Sequence, residues 1–134
     1  VKIEEVEGIG PVYAGKLGAA GVGSTDDLLE RGAKPSGRKA LEDATGIDHA
    51  LILEWVNHVD LMRIDGVGSE YSDLLEAAGV DSPAELARRN AANLATTVQE
   101  VVAARPGIVR RIPSESELQD WIDQSAKLPK VVEH

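Results

Sequence analysis

Residues 8–24, Gly8-Ile9-Gly10-Pro11-Val12-Tyr13-Ala14-Gly15-Lys16-Leu17-Gly18-Ala19-Ala20-Gly21-Val22-Gly23-Ser24, return 58 residues later as Gly66-Val67-Gly68-Ser69-Glu70-Tyr71-Ser72-Asp73-Leu74-Leu75-Glu76-Ala77-Ala78-Gly79-Val80-Asp81-Ser82. The match continues through Leu28 with Leu86 and Arg31 with Arg89, and agreement of this kind marks an internal repeat. Trp55 finds its counterpart in Trp121, 66 residues on, so the second copy has gained 8 residues, placed near 105–112 around Arg105-Pro106-Gly107-Ile108-Val109-Arg110-Arg111.

Punctuation within the repeat points to helices throughout. A short helix near 3–7 runs into Gly8-Ile9-Gly10, and Pro11 sits at a first helical position, where its missing N–H does no harm. Tyr13, Leu17 and Ala20 share a helical face that ends at Gly21, a natural left-handed cap. Ser24 caps a third helix carrying Leu28 and Leu29 and ending at Gly32, and Pro35 opens a fourth that ends near Gly46. Asp48 opens a fifth, in which Leu51, Ile52, Trp55, Val56, Val59 and Met62 form one broad apolar stripe. The second copy repeats the pattern with a helix over 69–78 ending at Gly79, a capping-box pair Ser82 with Glu85, a helix over about 90–104 broken by Pro106-Gly107, and a second box, Ser114 with Glu117, opening the last helix. That helix carries Leu118, Trp121, Ile122 and Ser125 or Ala126 inward. Residues 108–112 read as an extended linker. No linker separates the copies, since the fifth helix ends one and begins the other. The expected organisation is a module over 1–60, a second over 61–128 and a frayed tail over 129–134, packed as one all-α body in which deletion of either half exposes the apolar stripe of the other.

At this point the sequence resembles the helix-hairpin-helix superfamily and, more closely, a bacterial and archaeal family of unknown function with two such repeats, DUF4332. The resemblance runs from Ile3 to Leu128. Its most telling stretches are Glu7-Gly8-Ile9-Gly10-Pro11, Leu61-Met62-Arg63-Ile64-Asp65-Gly66-Val67-Gly68 and Gly107-Ile108-Val109-Arg110-Arg111-Ile112-Pro113-Ser114. It implies an all-α, SAM-like architecture of two tandem helix-hairpin-helix modules and brings no activity with it. Acidic repeats of a bacterial transcription elongation factor, and the C-terminal domain of the bacterial RNA polymerase alpha subunit, are similar in type and imply that such a scaffold contacts protein as well as DNA.

Composition limits the function. The chain has 134 residues, no Cys, no Phe and a net charge of −9. Without Cys there is no disulfide, thiolate metal site or cysteine nucleophile. No apolar run approaches the roughly 20 residues that span a bilayer, so no membrane association is expected, and the chain is placed in the cytoplasm. Val1 is not an initiator Met, and the only Met is Met62, which marks the chain as a trimmed or processed piece. Residues 1–60 carry 6 basic and 11 acidic side chains, and 61–134 carry 8 and 12. An acidic field of that evenness repels a nucleic-acid backbone and suits a basic partner, while leaving room for a local positive patch.

Two groups of residues are candidates for binding. A Gly-x-Gly turn before a helix offers backbone N–H groups and the positive end of a dipole to a phosphate oxygen, so Gly8, Ile9 and Gly10 with Lys16, and Gly66, Val67 and Gly68, are candidate backbone contacts. Equally, these glycines serve as tight interhelical turns. Lys34, Arg38 and Lys39 extend a possible basic patch around the first hairpin, whereas Glu70, Asp73 and Glu76 stand where cations would help the second. Arg105, Arg110 and Arg111 form a carboxylate-free basic loop from Val101 to Ser114. They suit forked contacts with a partner's acids, or pairing with the protein's own. No cofactor fingerprint is met, because no strand leads into either Gly-x-Gly. His49, Glu54 and His58 make a poor metal set and are read as surface residues. Catalysis therefore has no residues to rest on. The favoured reading is a non-catalytic module that recognises an unidentified protein partner through its acidic surface together with the Arg105–Arg111 loop, with DNA backbone binding through the first hairpin as the alternative and homodimerisation left open.

Tyr13, Trp55, Tyr71 and Trp121, paired by the repeat, are the expected core anchors. Replacing Trp55 with Ala is expected to cost roughly 3–5 kcal/mol of unfolding free energy in denaturant titration. A loss below about 1 kcal/mol removes Trp55 from the core.

Overall fold

Proline and glycine set the helix limits where the periodicity places them. The computed structural model describes residues 1–134. A 3-10 turn, Ile3–Glu5, precedes α1 (Pro11–Ala19), α2 (Thr25–Gly32), α3 (Pro35–Thr45), α4 (His49–Leu61), α5 (Ser69–Ala77), α6 (Pro83–Leu86), α7 (Ala91–Ala104) and α8 (Glu115–Lys127). No strand forms, and the chain is all-helical. It divides into two units, one of Val1–Asp60 with Val131–His134, the other Leu61–Lys130.

Each unit is built by the same bonds. In the first, Ile9 N–H donates to Val6 O (3.0 Å) and Gly8 sits at φ 90°, turning the chain sharply before α1. In the second, Val67 N–H donates to Ile64 O (3.0 Å) and Gly66 sits at φ 97°. The end of α1 is a Schellman cap: Gly21 is left-handed, its N–H reaches Gly18 O at 3.0 Å and Val22 N–H reaches Leu17 O at 2.8 Å. The end of α5 copies it at Gly79 and Val80. Arg31 donates to Ala20 O (3.0 Å) and Arg89 to Gly79 O (3.1 Å), so an arginine from the following segment closes each of these helix ends.

The indoles organise both units. The Tyr13 and Trp55 rings lie 5.0 Å apart and tilted, and Tyr71 and Trp121 lie 5.1 Å apart. Each indole also faces the left-handed glycine of its own turn: a Cβ on Gly8 would stand 3.2 Å from Trp55 Nε1, and one on Gly66 3.0 Å from Trp121 Nε1. Trp55 and Trp121 are buried, as are Leu17, Leu28 and Leu41 in the first unit and Leu75, Leu86 and Leu118 in the second.

Several expectations need correction. Ser82 caps α6 by accepting from Glu85 N–H at 3.1 Å, but the Glu85 carboxylate turns to Arg89, so the box is open and the helix is four residues long. At Ser114 and Glu117 both reciprocal bonds form. The extra residues of the second copy are not confined to 105–112: α7 has 14 residues where α3 has 11, and the connection 105–114 replaces 46–48. The tail is not frayed at its end. Glu133 N–H donates to Ala33 O at 2.7 Å, Arg38 donates to Glu133 O at 2.7 Å, and the Val132 side chain is buried. One apolar side chain and paired main-chain groups suffice to dock an extended segment.

Glycine substitutions separate the constraints. Gly8→Ala, at a positive φ and against the indole, is expected to lose about 1–3 kcal/mol. Gly15→Ala, inside α1 with nothing within 4 Å of the new methyl, is expected to gain about 0.5–1 kcal/mol from helix propensity. Chemical denaturation of both variants checks the sign of each.

Candidate functional site

The candidate residues separate sharply by environment. At the first hairpin the Ile9 N–H is spent on Val6 O and its side chain is buried. The N–H groups left without a partner are those of Gly10, Val12 and Tyr13, since α1 has no side-chain cap and Pro11 has no N–H. Lys16 is exposed and makes no ion pair. At the second hairpin Val67 is likewise committed inward, and Gly68 caps α5 without a side-chain bond.

Arg38 is not part of a surface patch. It is buried, 3% exposed, and donates to Gly32 O (2.8 Å), Ala33 O (3.3 Å) and Glu133 O (2.7 Å), which ties the end of α2 to the tail. Burial lowers its pKa, the nearby Glu133 opposing the shift in part. Lys39 lies on the surface but pairs with Asp43 at 2.8 Å and Glu42 at 3.9 Å, and the Asp43 hydrogen bond raises its pKa. Of the three, Lys34 is exposed and unpaired. His58, expected on the surface, is 2% exposed, because the whole stretch from Trp55 to Leu61 on α4 is buried.

The arginine loop is fastened to its own unit. Arg110 meets Glu70 twice, its backbone N–H at 2.8 Å and Nε at 3.0 Å. Arg111 grips Glu117 in a fork of two 2.7 Å bonds, and its carbonyl accepts from the Tyr71 hydroxyl at 3.0 Å. Arg105 stands 3.8 Å from Asp73. The segment thus lies along α5, bonded at Glu70 and Tyr71 and paired at Asp73. Two of the α5 carboxylates that looked like a barrier to phosphate, Glu70 and Asp73, are anchors of this loop.

The same face of α1 carries no such cover. Val12 stands at the place of Glu70 and is 72% exposed. Gly15 replaces Asp73 and has open space around it. The Tyr13 hydroxyl, equivalent to that of Tyr71, donates to nothing. With 46–48 in place of 105–114, the first unit has no chain to lay there.

The match of a family model supplies the relationship. DUF4332, a domain of unknown function, matches residues 7–128. The chain belongs to that family. No curated protein and no solved structure matches it. DUF4332 membership carries no activity, so a role for this member has to come from its own geometry: one covered helix face and one bare one. No helix is long and apolar enough to cross a membrane.

Sequence reasoning offered pairing of the loop arginines with the protein's own acids, and the pairs are formed, but it did not name Glu70, Asp73 and Glu117 as the partners, nor find the bare face at the equivalent place in the first copy. The signal available was the substitution pattern itself: Glu70, Asp73 and Glu76 against Val12, Gly15 and Gly18 at the same repeat positions.

The Glu117 carboxyl is held down to about 2, first by the Arg111 hydrogen bond and then by the Ser114 N–H. A lowered pKa means that the latch contributes above the ordinary value of 4.5 and is lost as pH falls through about 2. Carboxyl NMR titration should place the Glu117 midpoint near 2, and an Arg111→Ala variant should return it toward 4.5.

Proposed function

We propose that this chain is a non-catalytic interaction module of the helix-hairpin-helix type, and that it binds a protein partner through the bare face of α1 in its first module. The observation that carries the reading is the contrast between equivalent faces. On α5 the protein covers the face with its own chain, and on α1 it leaves Val12 and Lys16 exposed, Gly15 in open space and the Tyr13 hydroxyl without a hydrogen bond. Gly15 and Gly18 add weight. Each costs α1 about 0.5–1 kcal/mol relative to Ala, and neither has anything within 4 Å that a methyl would strike. Glycines kept at that cost suit the close approach of another backbone. The arginine loop, by contrast, is engaged with Glu70, Asp73 and Glu117 and serves the second module's own closure.

DNA backbone binding at the first hairpin is favoured by one specific feature, the partnerless N–H groups of Gly10, Val12 and Tyr13 beside Lys16. Against it stand the burial of Arg38, the pairing of Lys39 and an excess of acids in the first unit. Few phosphates could be neutralised, and binding would vanish at physiological salt.

A photo-crosslinking amino acid at position 12 in living cells distinguishes these readings. The expected product is a discrete polypeptide adduct that is absent when the probe sits at Gln99 on α7. Nucleic-acid adducts at position 12, or none above the Gln99 control, would overturn the protein-binding reading.

A further inference from the structure

We infer that the partner presents an extended segment, laid along α1 as residues 105–114 lie along α5, with an apolar side chain over Val12 and a carboxylate beside Lys16. The inference rests on the reading of α1 as the docking face and names the shape and chemistry of what docks there. The second unit supplies the template. There an extended segment is held mainly through its backbone: the Tyr71 hydroxyl donates to Arg111 O at 3.0 Å, and Glu70 accepts from the Arg110 N–H at 2.8 Å. Side chains add a charge pair at each end of the contact, Arg110 on Glu70 and Arg105 near Asp73.

Tyr13 keeps the backbone-reading hydroxyl, and its ring is held against Trp55 at nearly the geometry of Tyr71 against Trp121. It is therefore aimed at the same place relative to its helix. What changes is the charge. Glu70 becomes Val12, so an arginine in the Arg110 position would lose its partner and an aliphatic side chain would gain one. Asp73 becomes Gly15, so an arginine in the Arg105 position would lose its partner as well, and the next residue, Lys16, is exposed where its counterpart Leu74 is buried. From Pro11 to Ala20 the only formal charge is Lys16. A segment complementary to that surface is apolar and acidic, and the chain's own arginine loop is the wrong ligand for it. The substitutions thus explain why two copies of one scaffold hold different segments.

The test uses two ten-residue peptides and the full-length protein labelled with 15N. The first peptide has the sequence of residues 105–114, and the second carries Arg105→Glu and Arg110→Leu. The second is expected to move the amide signals of Val12, Tyr13, Gly15 and Lys16 in saturable fashion, and the first is not. In a Val12→Glu protein, whose altered side chain is in solvent and leaves the core intact, the preference should narrow, since the Glu70–Arg110 pair is recreated while Lys16 remains: the first peptide gains and the second loses affinity, each by about two- to fivefold. Tyr13→Phe, which removes only the hydroxyl, should weaken the second peptide severalfold without changing the indole contact. Equal binding of both peptides to both proteins, or no shifts on α1 at all, would overturn the inference. A polypeptide adduct at position 12 obtained alongside such a failure would retain protein binding and discard the extended segment.

Discussion

Each half of this molecule hangs on an indole closed against a left-handed glycine. Gly8 and Gly66 adopt a φ that side chains with a Cβ rarely enter, and the space the missing Cβ would fill is taken by Nε1 of Trp55 and Trp121. The turn and the last helix of each module therefore fix one another. Tyr13 and Tyr71 pack tilted against the same indoles, and through them the helix after each turn acquires a defined rotation. With that rotation set, the faces of α1 and α5 that point away from the indole are determined, and so is the direction of the tyrosine hydroxyl. The two hydroxyls can be compared because the two indoles hold the tyrosine rings alike.

On this shared frame the two modules spend their charge differently. The second module carries acids on α5 and in the first turn of α8 and arginines in its added connection, and these meet as Glu70 with Arg110, Asp73 with Arg105 and Glu117 with Arg111. Exposed pairs of this type contribute little stability one by one. Their effect is positional, since a fork on Glu117 and two bonds on Glu70 leave the loop few alternative placements. The acidity of α5, which in the sequence reads as repulsion of a ligand, is complementarity to the protein's own chain. The first module has neither acids on α1 nor a loop to meet them, so α1 carries a single formal charge, Lys16, within a chain of net −9.

What could be read in the sequence, and what could not, follows the range of the interactions. Helix ends were legible because their causes lie within four residues: Ser24, Ser82 and Ser114 cap, Pro11 and Pro35 open, and Gly21, Gly46 and Gly79 close. The repeat made the tyrosine–tryptophan pairs legible as well, because equivalent positions imply equivalent roles. Arg38 was not, since its burial depends on carbonyls at the end of α2 and on Glu133, which is 95 residues away. The docked tail fails for the same reason: Lys130-Val131-Val132 has no periodicity to mark it, and one buried valine with main-chain bonds leaves no pattern. His58 shows the limit of an amphipathic reading. A stripe on α4 predicts one buried face, whereas every residue from Trp55 to Leu61 is buried, so the polar residues between the stripe positions go in with it.

The open face of α1 was hidden for a further reason: its defining residues are conspicuous only by comparison with their counterparts. Gly15, Gly18 and an exposed valine would pass in isolation for an indifferent helix surface. Set beside Glu70 and Asp73 on the same scaffold, Val12 and Gly15 form a coordinated change in which both acids that hold the loop on α5 are absent from α1 and the backbone-reading tyrosine is kept. A face merely released from covering its own loop would be free to gain solvating charge, and α1 would be more stable with alanine than with glycine at both positions. It has instead stayed smooth, apolar and costly to the helix, while its hydroxyl remains held in place by the buried indole. On the proposed reading of α1 as a docking face, retention of the hydroxyl together with loss of the anchoring acids is what would separate a site for a different segment from a face simply left empty.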